Sequence, residues 1–104
     1  MGEFVEIELL SSRFNTYTRP LYLKKKGKMR MKINLISKII KGEEYPINKK
    51  GCEEMEISSI NDIKALSFDK KVRYIGFGPN NLYRLSLKSF KEIRKYLQRT
   101  GKVI

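Results

Sequence analysis

A chain of 104 residues, 40% apolar and 33% charged, has the size and composition of one globular domain with a modest core. It has no histidine and a single cysteine, so it lacks the commonest general base and metal ligand and can form no internal disulfide. Its 23 Lys and Arg against 11 Asp and Glu leave a net charge of +12, which adds self-repulsion to a small fold and favours polyanionic partners, nucleic acid first.

The charge is segregated along the chain. Residues 1–12 hold three Glu and no basic residue, and residues 13–42 hold ten Lys/Arg and no acid. Residues 43–62 carry a net of −4 and residues 70–104 a net of +9. Two basic blocks around an acidic middle predict faces of opposite sign. No apolar run approaches the roughly 18 residues that span a bilayer, and the acidic N-terminus has no basic n-region of a signal peptide. A reduced, intracellular setting is expected, cytoplasmic and even nucleoid-associated.

In chain order, residues 4–10 read as a strand, with Val5, Ile7 and Leu9 on one face and Glu6 and Glu8 on the other. Residues 11–20 read as a loop in which Phe14 and Tyr17 either stack on bases or anchor the loop. Residues 21–23 begin a strand that pairs with residues 29–35 as a hairpin, its tip formed by Lys24, Lys25, Lys26, Gly27 and Lys28. Met29, Met31, Ile33 and Leu35 point inward, and Arg30, Lys32 and Asn34 outward. The tip is either a solvated turn or a phosphate-contacting loop that continues a positive stripe through Arg30 and Lys32.

Residues 36–41 extend that strand or form one helical turn, and residues 42–46 break it. Residues 47–57 suggest a short hairpin around Lys49, Lys50 and Gly51. The run Glu53-Glu54-Met55-Glu56 is a solvated edge, a partner-facing patch or an internal competitor for the basic face; the solvated edge is the default. Residues 59–66 have a capping signal in Ser59 and Asp62 and a shared face of Ile60, Ile63 and Leu66, which predicts a helix.

The strongest local signal is residues 70–101. Two alternating runs, 72–77 and 82–87, flank Gly78-Pro79-Asn80-Asn81, residues that turn chains because Gly and Asn accept positive φ and Pro presets φ. Tyr83, Leu85 and Leu87 match Ile75 and Phe77 on one face of this hairpin; Tyr74, Arg84 and Ser86 lie on the other. A helix follows, with Ser89 as N-cap, Glu92 closing a capping box and Gly101 as its stop. Phe90, Ile93 and Leu97 form its apolar stripe. Tyr96 widens the stripe, which suggests a homodimer through this helix or a cap on the sheet edge of one monomer.

The chain carries no phosphate-loop or nucleotide glycine pattern; Gly76-Phe77-Gly78 sits at a hairpin turn without the following glycine. Cys52 has no activating motif. The chain is therefore read as a binding protein, not an enzyme, with no cofactor and no metal. The candidate nucleic-acid-binding residues are Lys24, Lys25, Lys26, Lys28, Arg30, Lys32, Arg73, Tyr74 and Arg84, since aromatics interleaved with cations on strands suit single-stranded DNA or RNA. Arg84 is expected to matter more than Lys95, whose side of the helix should face solvent. Two alternatives stand beside this reading: a protein-interaction module of a phage or plasmid regulator, and a small ribonuclease-type toxin working through Tyr74, Arg84 and Arg73.

The segment Tyr83-Arg84-Leu85-Ser86-Leu87 followed by a basic amphipathic helix resembles the end of the single-stranded-DNA-binding transcriptional coactivator domain (positive cofactor four), and in its strand–helix logic the Whirly and Pur-domain proteins. Leu85-Ser86-Leu87 matches the closing strand, and Phe90 and Ile93 the apolar helix positions, over about the last third of the chain. The resemblance implies a basic antiparallel sheet, a C-terminal helix that dimerises, single-stranded nucleic acid as ligand and a role in transcription or replication, with Arg84 as the matching cation. The fold expected is α+β: a curved antiparallel β-sheet of about four to six strands built from hairpins, with a C-terminal α-helix packed on one face.

Overall fold

The computed structural model describes residues 4–10, 21–24 and 30–102. Among them the fold is α+β: a strongly curled, mostly antiparallel sheet and one C-terminal helix. The strands are β1 (Phe4–Leu10), β2 (Leu21–Lys24), β3 (Met31–Ile40), β4 (Glu43–Pro46), β5 (Glu53–Ile57), β6 (Ala65–Ser67), β7 (Tyr74–Gly76), β8 (Leu82–Leu85) and β9 (Gly101–Lys102). The helix, α1, is Leu87–Thr100. The strands follow one another in the order β4-β3-β8-β7-β6-β1-β2-β9, and β5 also pairs with β3. β1 and β6 run parallel; the other described pairs are antiparallel.

The hairpin expected between residues 21–23 and 29–35 does not form. β2 pairs with β1 and β9, because both edges of β3 are already taken. One edge holds β4 and β5; the other holds β8 and the start of α1. The expected cationic tip (Lys25, Lys26, Lys28) and the loop with Phe14 and Tyr17 lie outside the described residues, and Lys24 is described by its backbone alone.

Residues 36–40 extend β3. The expected break is a two-residue turn, Lys41-Gly42, with φ of 52° and 81°, the mirror-image turn that suits the twist of paired strands. β4 follows it at once. The expected hairpin within residues 47–57 is also replaced: β4 and β5 pair with β3 and not with each other, lying end to end along one edge. The loop between them turns at Gly51 (φ 85°), whose N–H donates to the Asn48 carbonyl at 3.1 Å.

The helix expected over residues 59–66 is one 3-10 turn, Ile60–Asp62, followed by β6. The cap is real, since Ser59 Oγ accepts from Asn61 N–H at 3.1 Å. Ile60, Ile63 and Leu66 are all buried as well. Sheet pairing overrides helical spacing here: Leu66 lies between Leu9 of β1 and Ile75 of β7.

One strand serves two cores. Pairing of β3 with β8 slips between Leu35 and Ser37, so that Leu35 faces Leu85 and Ser37 faces Arg84. The extra residue, Ile36, is a β-bulge that turns the following residues to the opposite face. Ile33 and Leu35 join the main core under α1, with Ile7, Leu9, Leu66, Ile75, Leu85, Phe90, Ile93 and Leu97. Ile39 joins a smaller cluster with Leu10, Ala65, Val72, Tyr74 and Leu82. Gly76 lets β6 and β7 approach closely in this cluster; a Cβ there would lie 3.1 Å from that of Ala65.

The hairpin of β7 and β8 has the expected facing, with Tyr74 opposite Arg84 and Ile75 opposite Tyr83. Leu87 falls in the helix, half-exposed, not on the closing strand. The N-cap is Ser86, not Ser89: Ser86 Oγ accepts from Ser89 N–H at 3.2 Å. Ser89 is buried, and its Oγ accepts from Asn34 N–H at 2.9 Å, tying the first turn of α1 to β3. Ser86→Ala is expected to lower stability by about 1 kcal/mol through loss of the cap, read as a shift in the urea midpoint; an unchanged midpoint would show that the cap contributes nothing.

Candidate nucleic-acid interface

The structure separates the predicted site residues into two places. Arg84, Tyr74 and Arg73 meet on the sheet face away from α1. The Arg84 guanidinium is held on several sides. Nε donates to Glu44 Oε1 at 2.6 Å and Nη2 to Glu44 Oε2 at 3.1 Å. Nη1 donates to the carbonyls of Val72 (2.9 Å) and Lys71 (3.2 Å). The guanidinium carbon also lies 5.0 Å from the centroid of the Tyr74 ring, and Nη2 is 3.3 Å from its hydroxyl. Ser37 Oγ donates to the same Glu44 carboxylate.

Arg84 holds the Glu44 carboxyl below its ordinary value of 4.5; partial burial opposes this, and the Ser37 hydroxyl and Arg73 assist it. Burial raises the Tyr74 phenol. At 3% exposure, Tyr74 presents no ring face on which a base could stack. Arg73 takes a left-handed conformation (φ 49°) and donates from Nε to the Leu85 carbonyl at 3.0 Å. A carboxylate held ionised and bidentate on an arginine is a weak general base. In this geometry the cluster is a strut that joins β4 to the β7–β8 hairpin.

Arg30 and Lys32 lie elsewhere, at the start of β3, and are 85% and 70% exposed. With α1 they line a groove of about 500 Å³. The helix contributes Lys88, Lys95 and Arg99, with Glu92 between them. Lys95 and Arg99 follow Lys88 by seven and eleven residues, which places the three within an arc of about 40° around a helix. They extend about 16 Å along its axis at 1.5 Å per residue.

Five cations from two elements thus share one groove with a single carboxylate of its own. Its other boundary is acidic. β5 pairs with β3 so that Glu56 and Glu54 reach the same cations, Arg30–Glu56 at 3.5 Å and Lys32–Glu54 at 3.6 Å. The acidic run is an exposed edge strand, as the default reading expects, and two of its carboxylates lie against the positive stripe.

Sequence reasoning reached Arg30 and Lys32 but not Lys88, Lys95 and Arg99. The signal for the helix set was their spacing, hidden because the apolar stripe drew attention to the opposite side. Lys88 stands in the first turn of α1, which holds no acidic residue.

Tyr96 is half-buried and packs against the main core of its own chain. Among the described residues no three His, Cys, Asp or Glu side chains converge to hold a metal ion, and no helix is long and apolar enough to cross a membrane. No protein-family model, curated protein or solved structure matches this chain.

Proposed function

We propose that this protein binds single-stranded nucleic acid in the groove between β3 and α1, by phosphate contacts. The observation that carries the reading is the convergence of Arg30, Lys32, Lys88, Lys95 and Arg99 on one shallow, open groove. Cations on flexible stems bind phosphates as point charges, and each neutralised phosphate releases counterions. The groove is a few phosphates long. A single strand, DNA or RNA, can lay its flexible backbone along a cationic groove of this length.

Base stacking on Tyr74 does not enter this reading, and the expected order of Arg84 and Lys95 is reversed. Lys95 lines the groove, whereas Arg84 is committed to Glu44 and two carbonyls.

Fluorescence anisotropy with single-stranded DNA, RNA and duplex at several salt concentrations tests the proposal. The logarithm of affinity should fall with that of salt with a slope of about −0.7 per phosphate neutralised. The triple variant Lys88→Gln/Lys95→Gln/Arg99→Gln should lose at least about tenfold in affinity at low salt and flatten the slope by about 2. Lys49→Gln/Lys70→Gln/Lys71→Gln removes the same charge from exposed positions outside the groove. Equal losses in the two triple variants would show that net charge, not the groove, carries binding; no salt-dependent affinity at all would reject the function.

A further inference from the structure

We infer that Glu54 and Glu56 are a built-in competitor for phosphate, holding Arg30 and Lys32 until a nucleic acid displaces them; this rests on the reading of the groove above. The two carboxylates stand on β5, the edge strand hydrogen-bonded to β3. The register sets Lys32 opposite Glu56 and Asn34 opposite Glu54. Side chains of non-adjacent pairs on the two strands then meet on the diagonal: Lys32 reaches Glu54 and Arg30 reaches Glu56.

The geometry suits exchange more than structural locking. Both ion pairs are at 3.5 Å or beyond, and the carboxylates are 50% and 62% exposed. Exposed pairs of this kind contribute little to stability. Arg84–Glu44 is the contrast: at 2.6 Å, with the arginine side chain 20% exposed and Nη1 donating to two carbonyls, it is a fixed contact.

A carboxylate presents two anionic oxygens to a cation much as a phosphate does. Binding at Arg30 and Lys32 therefore trades one anion for another. Two consequences follow from the counterion argument. Affinity is lower than the groove's cation count implies. The salt slope is also shallower, because a phosphate beside a cation that still shares its charge with a carboxylate is less fully neutralised and releases fewer of its condensed counterions.

The test compares two variants that change net charge equally. Glu54→Gln/Glu56→Gln removes the competitors. Glu43→Gln/Glu53→Gln removes two acids from the same sheet edge that, among the described residues, pair with neither Arg30 nor Lys32. With a single-stranded oligonucleotide as probe, the first variant should bind on the order of tenfold more tightly than wild type at low salt. Its salt slope should steepen by up to about 1.4. The control should change far less in both.

If wild type binds and the two variants gain equally, the competitor idea is overturned while the groove reading stands. Should wild type fail to bind where Glu54→Gln/Glu56→Gln binds, the competitor is confirmed and the groove is occluded in the resting chain. If neither binds, both ideas fall. The variant should melt within a few degrees of wild type; a collapse of the fold would show the pairs to be structural and would also overturn the inference.

Discussion

Phe90→Ala is expected to lower the stability of this protein by about 3–5 kcal/mol, the largest effect of any single substitution considered. Phe90 is 2% exposed and sits in the main core between α1 and the sheet. Removing its ring takes away the transfer free energy and leaves a cavity that neighbours on a rigid sheet cannot fill. One further contact goes with it. The Arg94 guanidinium lies 5.7 Å from the Phe90 ring and 4.9 Å from that of Phe68, while donating to the Phe68 carbonyl. A domain of this size has only about 5–15 kcal/mol to lose, so the variant is expected to be partly unfolded near physiological temperature.

Urea denaturation measures the cost directly. A loss under 1.5 kcal/mol would mean that α1 is not packed as described. The substitution also separates two routes to lost binding. Phe90→Ala should remove the groove by loosening its helical wall, with loss of the cooperative transition; Lys95→Gln should weaken binding with the fold intact.

What the sequence made legible follows from how local each signal is. The β7–β8 hairpin, its two faces, and the apolar stripe of Phe90, Ile93 and Leu97 depend on neighbours within a few residues, and all are present. β1 was equally plain from its alternation. The errors concern pairing at long range. Residues 59–66 have helical spacing and a valid cap, yet Leu66 is worth more between β1 and β7 than on a lone helix. Residues 21–23 and 29–35 alternate like two arms of a hairpin, but nothing in their pattern says that β8 and α1 will occupy the second edge of β3.

The bulge at Ile36 is the subtlest case. Ile33, Leu35, Ser37 and Ile39 alternate without interruption and are all buried, so periodicity reads one core where there are two. The candidate site was half legible for the same reason. Arg30 and Lys32 are outward residues of the best alternating run in the chain, whereas their partners in the groove are more than fifty residues away and are brought there by the packing of α1.

Arg84→Ala is expected to act on stability, not on nucleic-acid binding. Among the described residues it leaves the Glu44 carboxylate with Ser37 as its hydrogen-bond donor, and it withdraws a donor from the carbonyls of Val72 and Lys71. Hydrogen bonds to charged groups contribute about 1.5–3 kcal/mol; with Glu44 38% exposed, the lower part of that range applies, about 2 kcal/mol. Arg84→Lys should recover little, because one ammonium cannot bridge a carboxylate and two carbonyls at once. The loss should depend on pH in one direction. The Glu44 carboxyl is depressed in the folded protein, chiefly by Arg84, so the folded state binds its proton less readily than the unfolded chain. The contribution is therefore complete above the ordinary value of 4.5 and fades as pH falls below it through the folded value. Urea midpoints should differ clearly between wild type and Arg84→Ala at pH 7 and converge toward pH 3, with oligonucleotide affinity at pH 7 unchanged wherever both are folded. A gap that persists undiminished at pH 3 would place the role of Arg84 in packing against Tyr74 instead of in its bond to Glu44. A loss of affinity in the folded variant would return Arg84 to the nucleic-acid interface, where the alternation of its strand had first placed it.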